Sequence, residues 1–336
     1  MADTAPGSAA PLPIAAVALD LDGTLLRSDK TVDDRTVSTL QALAARGLQV
    51  VIATGRMTPA VLHVEARLGV PCALVTYNGA CAYAPGARDD AVERSGSHDI
   101  AAGEPAAFPD LAGLPHSGHV IAPADRVRLF HRPVPVPAAE AIVRWCEANA
   151  VAVNIYVDDR LFIHADPRFH VPAARYAAMT GCVYDKVDSY DGLLRGPAPT
   201  KLLVFCDESD TAVDTLYGAM AAIVPAGSVH LIRAEFFVEA VAADVNKGLG
   251  LAECVAALGI PLAEVVAFGD GENDVEMLST AGLGVAMRNG RPQAHAAAKM
   301  VTDATNDDDG VGRQLTRLLN DGTIVVRPRP VAWKQT

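Results

Sequence analysis

Short polar segments that close apolar runs carry the side chains able to do chemistry. Asp20-Leu21-Asp22-Gly23-Thr24 sets a pair of carboxylates two residues apart, straight after the apolar run Ile14 to Leu19. Thr54-Gly55-Arg56 closes a second such run, and Gly269-Asp270-Gly271-Glu272-Asn273-Asp274 closes another. A fully buried strand ending in Asp-x-Asp is costly unless its charges are paired or meet a cation. Asp20, Asp22, Asp270 and Asp274, gathered together, would repel one another. The set therefore predicts a hard divalent ion, and oxygen ligands with room for water and a phosphate suit Mg²⁺.

The flanking elements must bring these segments to one place. Ile14 to Leu19, Leu48 to Ala53, Ala73 to Thr76 and Val265 to Phe268 are short apolar runs bounded by turn residues, the pattern of strands buried on both faces. Helices are expected between them, over Asp33 to Arg46 with Val37, Leu40 and Ala44 on one face, and over Lys247 to Leu258. Strands alternating with helices specify a doubly wound, Rossmann-like α/β core with a parallel sheet, which binds ligands beyond the carboxyl ends of its strands. The rhythm changes from Val127. Strands over 127–130, 151–157, 161–164, 201–206, 230–233 and 236–241, with helices over 138–149, 171–179 and 211–223, predict an α+β module with an antiparallel sheet. The expected layout is a disordered segment over 1–13, a core over 14–82 and 245–325, an inserted α+β cap over 83–244, and a loose tail over 326–336. Residues 84–118, rich in Ala, Gly, Pro and charge, have no assigned structure.

In this order, Asp20-Leu21-Asp22-Gly23-Thr24-Leu25, Thr54-Gly55-Arg56, Asn246-Lys247-Gly248 and Gly269-Asp270-Gly271-Glu272-Asn273-Asp274 resemble the four motifs of the haloacid dehalogenase superfamily. The Asn78-Gly79-Ala80 turn, the large insertion after the third core strand, and the late Val301-Thr302-Asp303 and Asn306-Asp307-Asp308-Asp309-Gly310-Val311 segments resemble its Cof-type phosphatases. The resemblance covers the core, and cap similarity rests on placement and strand pattern. It implies a Mg²⁺-dependent phosphatase in which Asp20 attacks phosphorus and forms an aspartyl phosphate. Asp22 would protonate the leaving oxygen and later deprotonate water. An Asp20 oxygen, the Asp22 backbone carbonyl and Asp270 would bind the metal, with Asp274 acting directly or through water. Leu21, Thr54, Gly55, Lys247 and Asn273 would surround the phosphate, supplying preorganised donors for charge that spreads over its oxygens. Arg56 is read as either a substrate contact or a structural ion pair, and Asn78 as a substrate contact or a turn former.

Taken singly, each motif has a plainer reading: an Asp-capped turn for Asp20 to Thr24, an N-cap for Thr54, a surface cation for Lys247. Their order and their places at strand ends and a helix start favour the catalytic reading. His131, His164 and His170 show no partner spacing, and Asp307-Asp308-Asp309 reads as a solvated turn rather than a calcium loop. A formal charge of −12, from 28 basic and 40 acidic residues, argues against a nucleic-acid or anionic-membrane partner but leaves room for a small phosphorylated metabolite. Cys72, Cys81, Cys146, Cys182, Cys206 and Cys254 form no CxxC pair and sit mostly in apolar runs, as free thiols do. With no long apolar run and no basic leader, the expectation is a cytoplasmic protein, monomeric or weakly dimeric. Two other functions fit the same core: a phosphomutase of the phosphomannomutase type, which would need cap arginines from among Arg126, Arg128, Arg132, Arg160, Arg168 and Arg175 to hold a second phosphate, and a non-catalytic binding protein.

Overall fold

The computed structural model describes residues 10–85, 126–180 and 182–327. Residues 1–9, 86–118 and 328–336, on which parts of the expected layout fall, lie outside the described residues. The chain divides into two compact units. Of the described residues, one comprises 10–55, 63–85 and 246–327, and the other 56–62, 126–180 and 182–245.

In the first unit, strands Met300–Val301, Leu283–Ala286, Val265–Gly269, Ala16–Leu19, Gln49–Ala53 and Cys72–Thr76 lie side by side in that order, all parallel, and Cys81–Tyr83 joins antiparallel. Val17 stands level with Val266 on one side and Val50 on the other, and Leu19 with Phe268 and Ile52. Every residue of Ala16–Leu19 and of Val265–Gly269 is buried, as helices on both faces require of a parallel sheet. From Ala16–Leu19 the chain builds outward one way through Gln49–Ala53 and Cys72–Thr76, and the other way through Val265–Gly269 and Leu283–Ala286. That divergence is the switch point of a doubly wound sheet.

Helix Asp34–Ala45 starts where Asp33 accepts the Arg35 amide, and it buries Val37, Leu40 and Leu43. Leu43 takes the inward place expected of Ala44, since the larger apolar side chain gains more from burial. Helix Lys247–Ala257 starts where Asn246 accepts the Leu249 amide at 2.8 Å. Strands Leu12–Ile14 and Ile324–Val326 pair in parallel, and the Arg327 amide donates to the Ile14 carbonyl at 2.7 Å. Regular structure thus extends past the boundaries expected at 14 and 325. Each partner is too short to be recognised alone, and only their pairing satisfies the backbone.

The second unit carries a sheet ordered Val229–Arg233, Phe237–Ala242, Lys201–Phe205, Val153–Val157, Arg160–His164 and Asp185–Val187, antiparallel throughout except for the last pair. Helices Val136–Asn149 and Asp210–Ile223 pack Ile142, Val143, Leu216 and Met220 onto one face, against Ile155, Leu202, Val204, Val238 and Ala240. On the alternate face the fully buried Lys201 donates to Glu239 Oε1 at 3.1 Å and lies 4.8 Å from the centre of the Tyr156 ring. Asp185–Val187 was not anticipated, being only three residues long and carrying two charges. Among the described residues no helix is long and apolar enough to cross a membrane.

Candidate active site

Asp20 follows directly on strand Ala16–Leu19, and its amide donates to the Phe268 carbonyl of the neighbouring strand at 3.0 Å. Asp270 and Asp274 follow that neighbour, Val265–Gly269. The two polar segments therefore meet because the strands preceding them are in register. Lys247, the first residue of its helix, reaches between them. Its Nζ donates to Asp20 Oδ1 at 2.6 Å and to Asp274 Oδ1 at 2.7 Å, and only 1% of its surface is exposed. Asp274 Oδ2 accepts the amides of Asp270 and Gly271, at 2.9 and 2.8 Å, and so holds the loop in shape. Thr24 Oγ1 donates to Asp270 Oδ1 at 2.8 Å. Gly23 has φ +82°, and a Cβ there would fall 2.4 Å from Asp270 Oδ2, so this turn admits neither the L-residue conformation nor the bulk.

Carboxylate oxygens of Asp20, Asp270 and Asp274 lie within 4.8 Å of one another. Burial pushes the Asp20 carboxyl well above its ordinary range; Lys247 opposes that shift, and Asp274 and Asp270 add to it. Asp270 is raised by burial too, with Thr24 opposing and Asp274 adding. Burial works against the Lys247 ammonium, but Asp20 and Asp274 outweigh it and hold its pKa above the usual lysine value. Three acidic side chains face one ammonium. The surplus of hard oxygen donors at mutual ligand distance fits a divalent cation.

Asp22 is the exception among the expected carboxylates. Its side chain is exposed and accepts from Lys30 Nζ at 2.8 Å, outside the buried trio. Four carboxylates were expected to gather and three do, because Gly23 turns the chain and successive side chains leave the strand end in different directions. Thr54 is buried at the end of strand Gln49–Ala53, where its amide donates to Val75 and its carbonyl accepts from Asn78, at 2.9 and 3.0 Å. Asn78 Oδ1 is 3.0 Å from where a Cβ would stand on Gly55, and it accepts from Asn273 Nδ2 at 2.9 Å. Asn78, Gly55 and Asn273 are thus brought together. Tyr77, Asn78 and Gly79 all have positive φ, at +53°, +56° and +99°. Such a run in a buried turn is strained and survives only where packing dictates it. Leu21 is wholly buried, and its carbonyl accepts from the Leu26 amide at 2.8 Å. Arg56 is half-buried and falls with the second unit. Thr24 and Lys30 were not singled out from the sequence. Thr24 belonged to the recognised motif and could have been read as a partner for Asp270; nothing marks Lys30 before the turn is folded.

Five of the six arginines weighed for a second phosphate site each face a carboxylate. Arg128, Arg132, Arg160, Arg168 and Arg175 face Asp158, Asp244, Asp185, Asp166 and Glu208 respectively, a different carboxylate each. His131 lies 2.9 Å from Thr200 Oγ1, and His164 Nδ1 accepts the Asp166 amide at 3.1 Å.

With this geometry in place, comparison with known proteins is informative. The family model for haloacid dehalogenase-like hydrolases matches residues 17–93 and 112–315. The chain is 29% identical over 308 residues to the 5-amino-6-(5-phospho-D-ribitylamino)uracil phosphatase YitU of Bacillus subtilis, covering 89% of this chain and 95% of that protein. It is 27% identical over 285 residues to the HMP-PP phosphatase of Shigella boydii, covering 83% of this chain and 90% of that one. A solved haloacid dehalogenase-like hydrolase of Bacteroides thetaiotaomicron superposes with a TM-score of 0.70 at 22% identity, covering 91% of this chain and 99% of its own. A solved protein of Thermotoga maritima gives a TM-score of 0.70 at 25% identity, over 90% and 97% of the two chains.

Proposed function

We propose that this chain, which belongs to the haloacid dehalogenase-like hydrolases and is a phosphatase, hydrolyses a small phosphorylated metabolite with Mg²⁺ bound, using Asp20 as nucleophile and Asp22 as general acid and base. The observation that carries this reading is the trio of Asp20 and Asp274, both buried, and Asp270, partly buried, set against the single ammonium of Lys247. A buried carboxylate surplus is costly as pure structure, and a site that binds metal and phosphate accounts for it.

Asp20, the Asp22 backbone carbonyl and Asp270 would hold the ion, with Asp274 behind them fixing the loop. When bound there, Mg²⁺ would supply positive charge that favours the ionised form of Asp20 and offsets charge on the phosphoryl group. An Asp20 oxygen forms a bond to phosphorus as the ester P–O bond breaks, and Asp22 gives its proton to the departing oxygen. Asp22, now a carboxylate, takes a proton from water; the water oxygen bonds to phosphorus and the Asp20 oxygen leaves. Exposure of Asp22 to solvent supports this alternation, since it can exchange protons between steps. The Thr54 hydroxyl, the amides of Leu21 and Gly55, and Lys247 donate toward the phosphoryl oxygens, and Asn273 with Asn78 shapes the same wall.

The name of one relative, a 5-amino-6-(5-phospho-D-ribitylamino)uracil phosphatase, supports a small ring- or sugar-bearing phosphomonoester, with flavin mononucleotide and pyridoxal phosphate among the candidates. A phosphomutase is favoured less, because five of the six cap arginines weighed for it are paired with separate carboxylates. Six free thiols support a reducing compartment such as the cytoplasm.

The test is phosphate release from a panel of phosphorylated metabolites, in Mg²⁺ or EDTA, by the wild type and Asp20→Asn. Release that needs Mg²⁺ and disappears in the variant is expected. Undiminished release by Asp20→Asn would remove Asp20 as nucleophile, and folded wild type that releases nothing would return weight to the mutase or binding readings.

A further inference from the structure

The turn that follows Asp22 is held in part by its own backbone: the Leu25 amide donates to the Asp20 carbonyl at 3.2 Å, the Leu26 amide to the Leu21 carbonyl at 2.8 Å, and an isolated bridge joins Asp22 to Leu26. Its Gly23 and Leu26 carbonyls and both donors of Ser28 are met by side chains from much later in the chain. The Gly23 carbonyl accepts from Asn289 Nδ2 at 2.8 Å, and the Leu26 carbonyl from Asn306 Nδ2 at 2.9 Å. Ser28 donates its amide to Asp307 Oδ1 and its hydroxyl to Asp307 Oδ2, both at 2.7 Å. The clamp is itself braced: Asn289 Oδ1 accepts the Asn306 amide at 3.1 Å, and Asp309 Oδ1 accepts from Thr36 Oγ1 at 2.5 Å. The Asp307-Asp308-Asp309 run is therefore more than the solvated turn expected of it.

We propose that Asn289, Asn306 and Asp307 are positioning residues that fix the Gly23–Ser28 turn and through it the carboxyl of Asp22. Asp22 precedes one clamped carbonyl and is bridged to the residue that bears the other, so both sides of it are anchored. These bonds lie near the surface, where each adds little net stability. Their concentration on one short turn instead defines geometry. A proton donor misplaced by about 1 Å can lose on the order of 100-fold in rate. This inference rests on the proposed acid–base role of Asp22, and the experiment separates failure of one from failure of the other.

A leaving group that is a stable anion needs no proton, whereas an alkoxide does. Steady-state kinetics in Mg²⁺ are measured on p-nitrophenyl phosphate and on the alkyl monophosphate that the wild type turns over fastest, with Asn306→Ala, Asp307→Ala, Asp307→Asn and Asp22→Ala. The alanine variants at 306 and 307 are expected to lose about 10- to 100-fold in kcat on the alkyl ester and less than about 3-fold on the aryl ester, with KM little changed. Asp307→Asn, which can still accept from the Ser28 amide and donate to its hydroxyl, is expected to stay within about 3-fold of the wild type on both. If Asp22→Ala shows the leaving-group dependence and the alanine variants at 306 and 307 lose both activities equally, or neither, the positioning role is overturned. If Asp22→Ala shows no such dependence, the acid–base reading of Asp22 fails first and this inference falls with it.

Discussion

At the scale of single residues the site is a charge balance, and Lys247 is its pivot. Its ammonium is the only cation seen against Asp20 and Asp274, at 2.6 and 2.7 Å among the described residues. Removing one partner of a buried ion pair typically costs about 3–5 kcal/mol, because the charges left behind stay desolvated. Lys247→Ala is therefore expected to melt well below the wild type in EDTA, and to regain part of the loss in Mg²⁺, since a divalent ion neutralises the same carboxylates. Thermal melts of both proteins in both buffers check this. Equal melting temperatures in EDTA would mean that the carboxylates do not need the ammonium. Turnover in Mg²⁺ should fall as well, because Lys247 also faces the phosphate in the proposed mechanism.

At the scale of elements, what places Lys247 is the contact between the start of its helix and the turn Tyr77–Gly79. Gly79 has φ +99°, and a Cβ on it would fall 2.2 Å from the Asn246 carbonyl oxygen, the residue that caps the helix. Backbone cannot yield there without moving the helix. Gly79→Ala combines left-handed strain of about 1–2 kcal/mol with overpacking of about 1–3 kcal/mol. A loss of stability near the sum is expected by denaturant titration, together with a fall in kcat as Lys247 shifts. A stability change under about 0.5 kcal/mol, the range usual for unremarkable surface positions, would show that the turn does not set the helix.

At the scale of the whole molecule, a chain of net charge −12 gathers further negative charge in one buried place. A ligand that binds only the folded state stabilises it by about 2.7 kcal/mol at a concentration 100 times its Kd. Saturating Mg²⁺ is accordingly expected to raise the melting temperature by several degrees relative to EDTA, and Asp270→Asn to shrink that shift. This measurement needs no turnover and no known substrate. An unchanged melting temperature in Mg²⁺ would count against the carboxylate trio as a metal site, whatever the activity assays return.

Much of the core could be read from the chain alone, because the signals are local. Apolar runs of four to six residues bounded by Gly, Asp and Thr specify buried parallel strands such as Ala16–Leu19 and Val265–Gly269. Asn246 announces a helix start, and polar residues at successive strand ends must converge where such a sheet diverges. Asp20, Asp270 and Asp274 follow from those facts and Lys247 from the family resemblance, and the structure brings the four together. What the sequence could not supply depends on pairings between distant positions. The strand Leu12–Ile14 exists only against Ile324–Val326, and Asp307 acquires a role only when Ser28, 279 positions away, arrives beside it. Asp22 leaves the carboxylate cluster because a left-handed glycine turns the chain and Lys30 lies within reach. Periodicity and turn chemistry are written into neighbouring residues and are legible there. Which side chains meet across the fold is decided by packing, where a shift of one residue or one rotamer exchanges one partner for another.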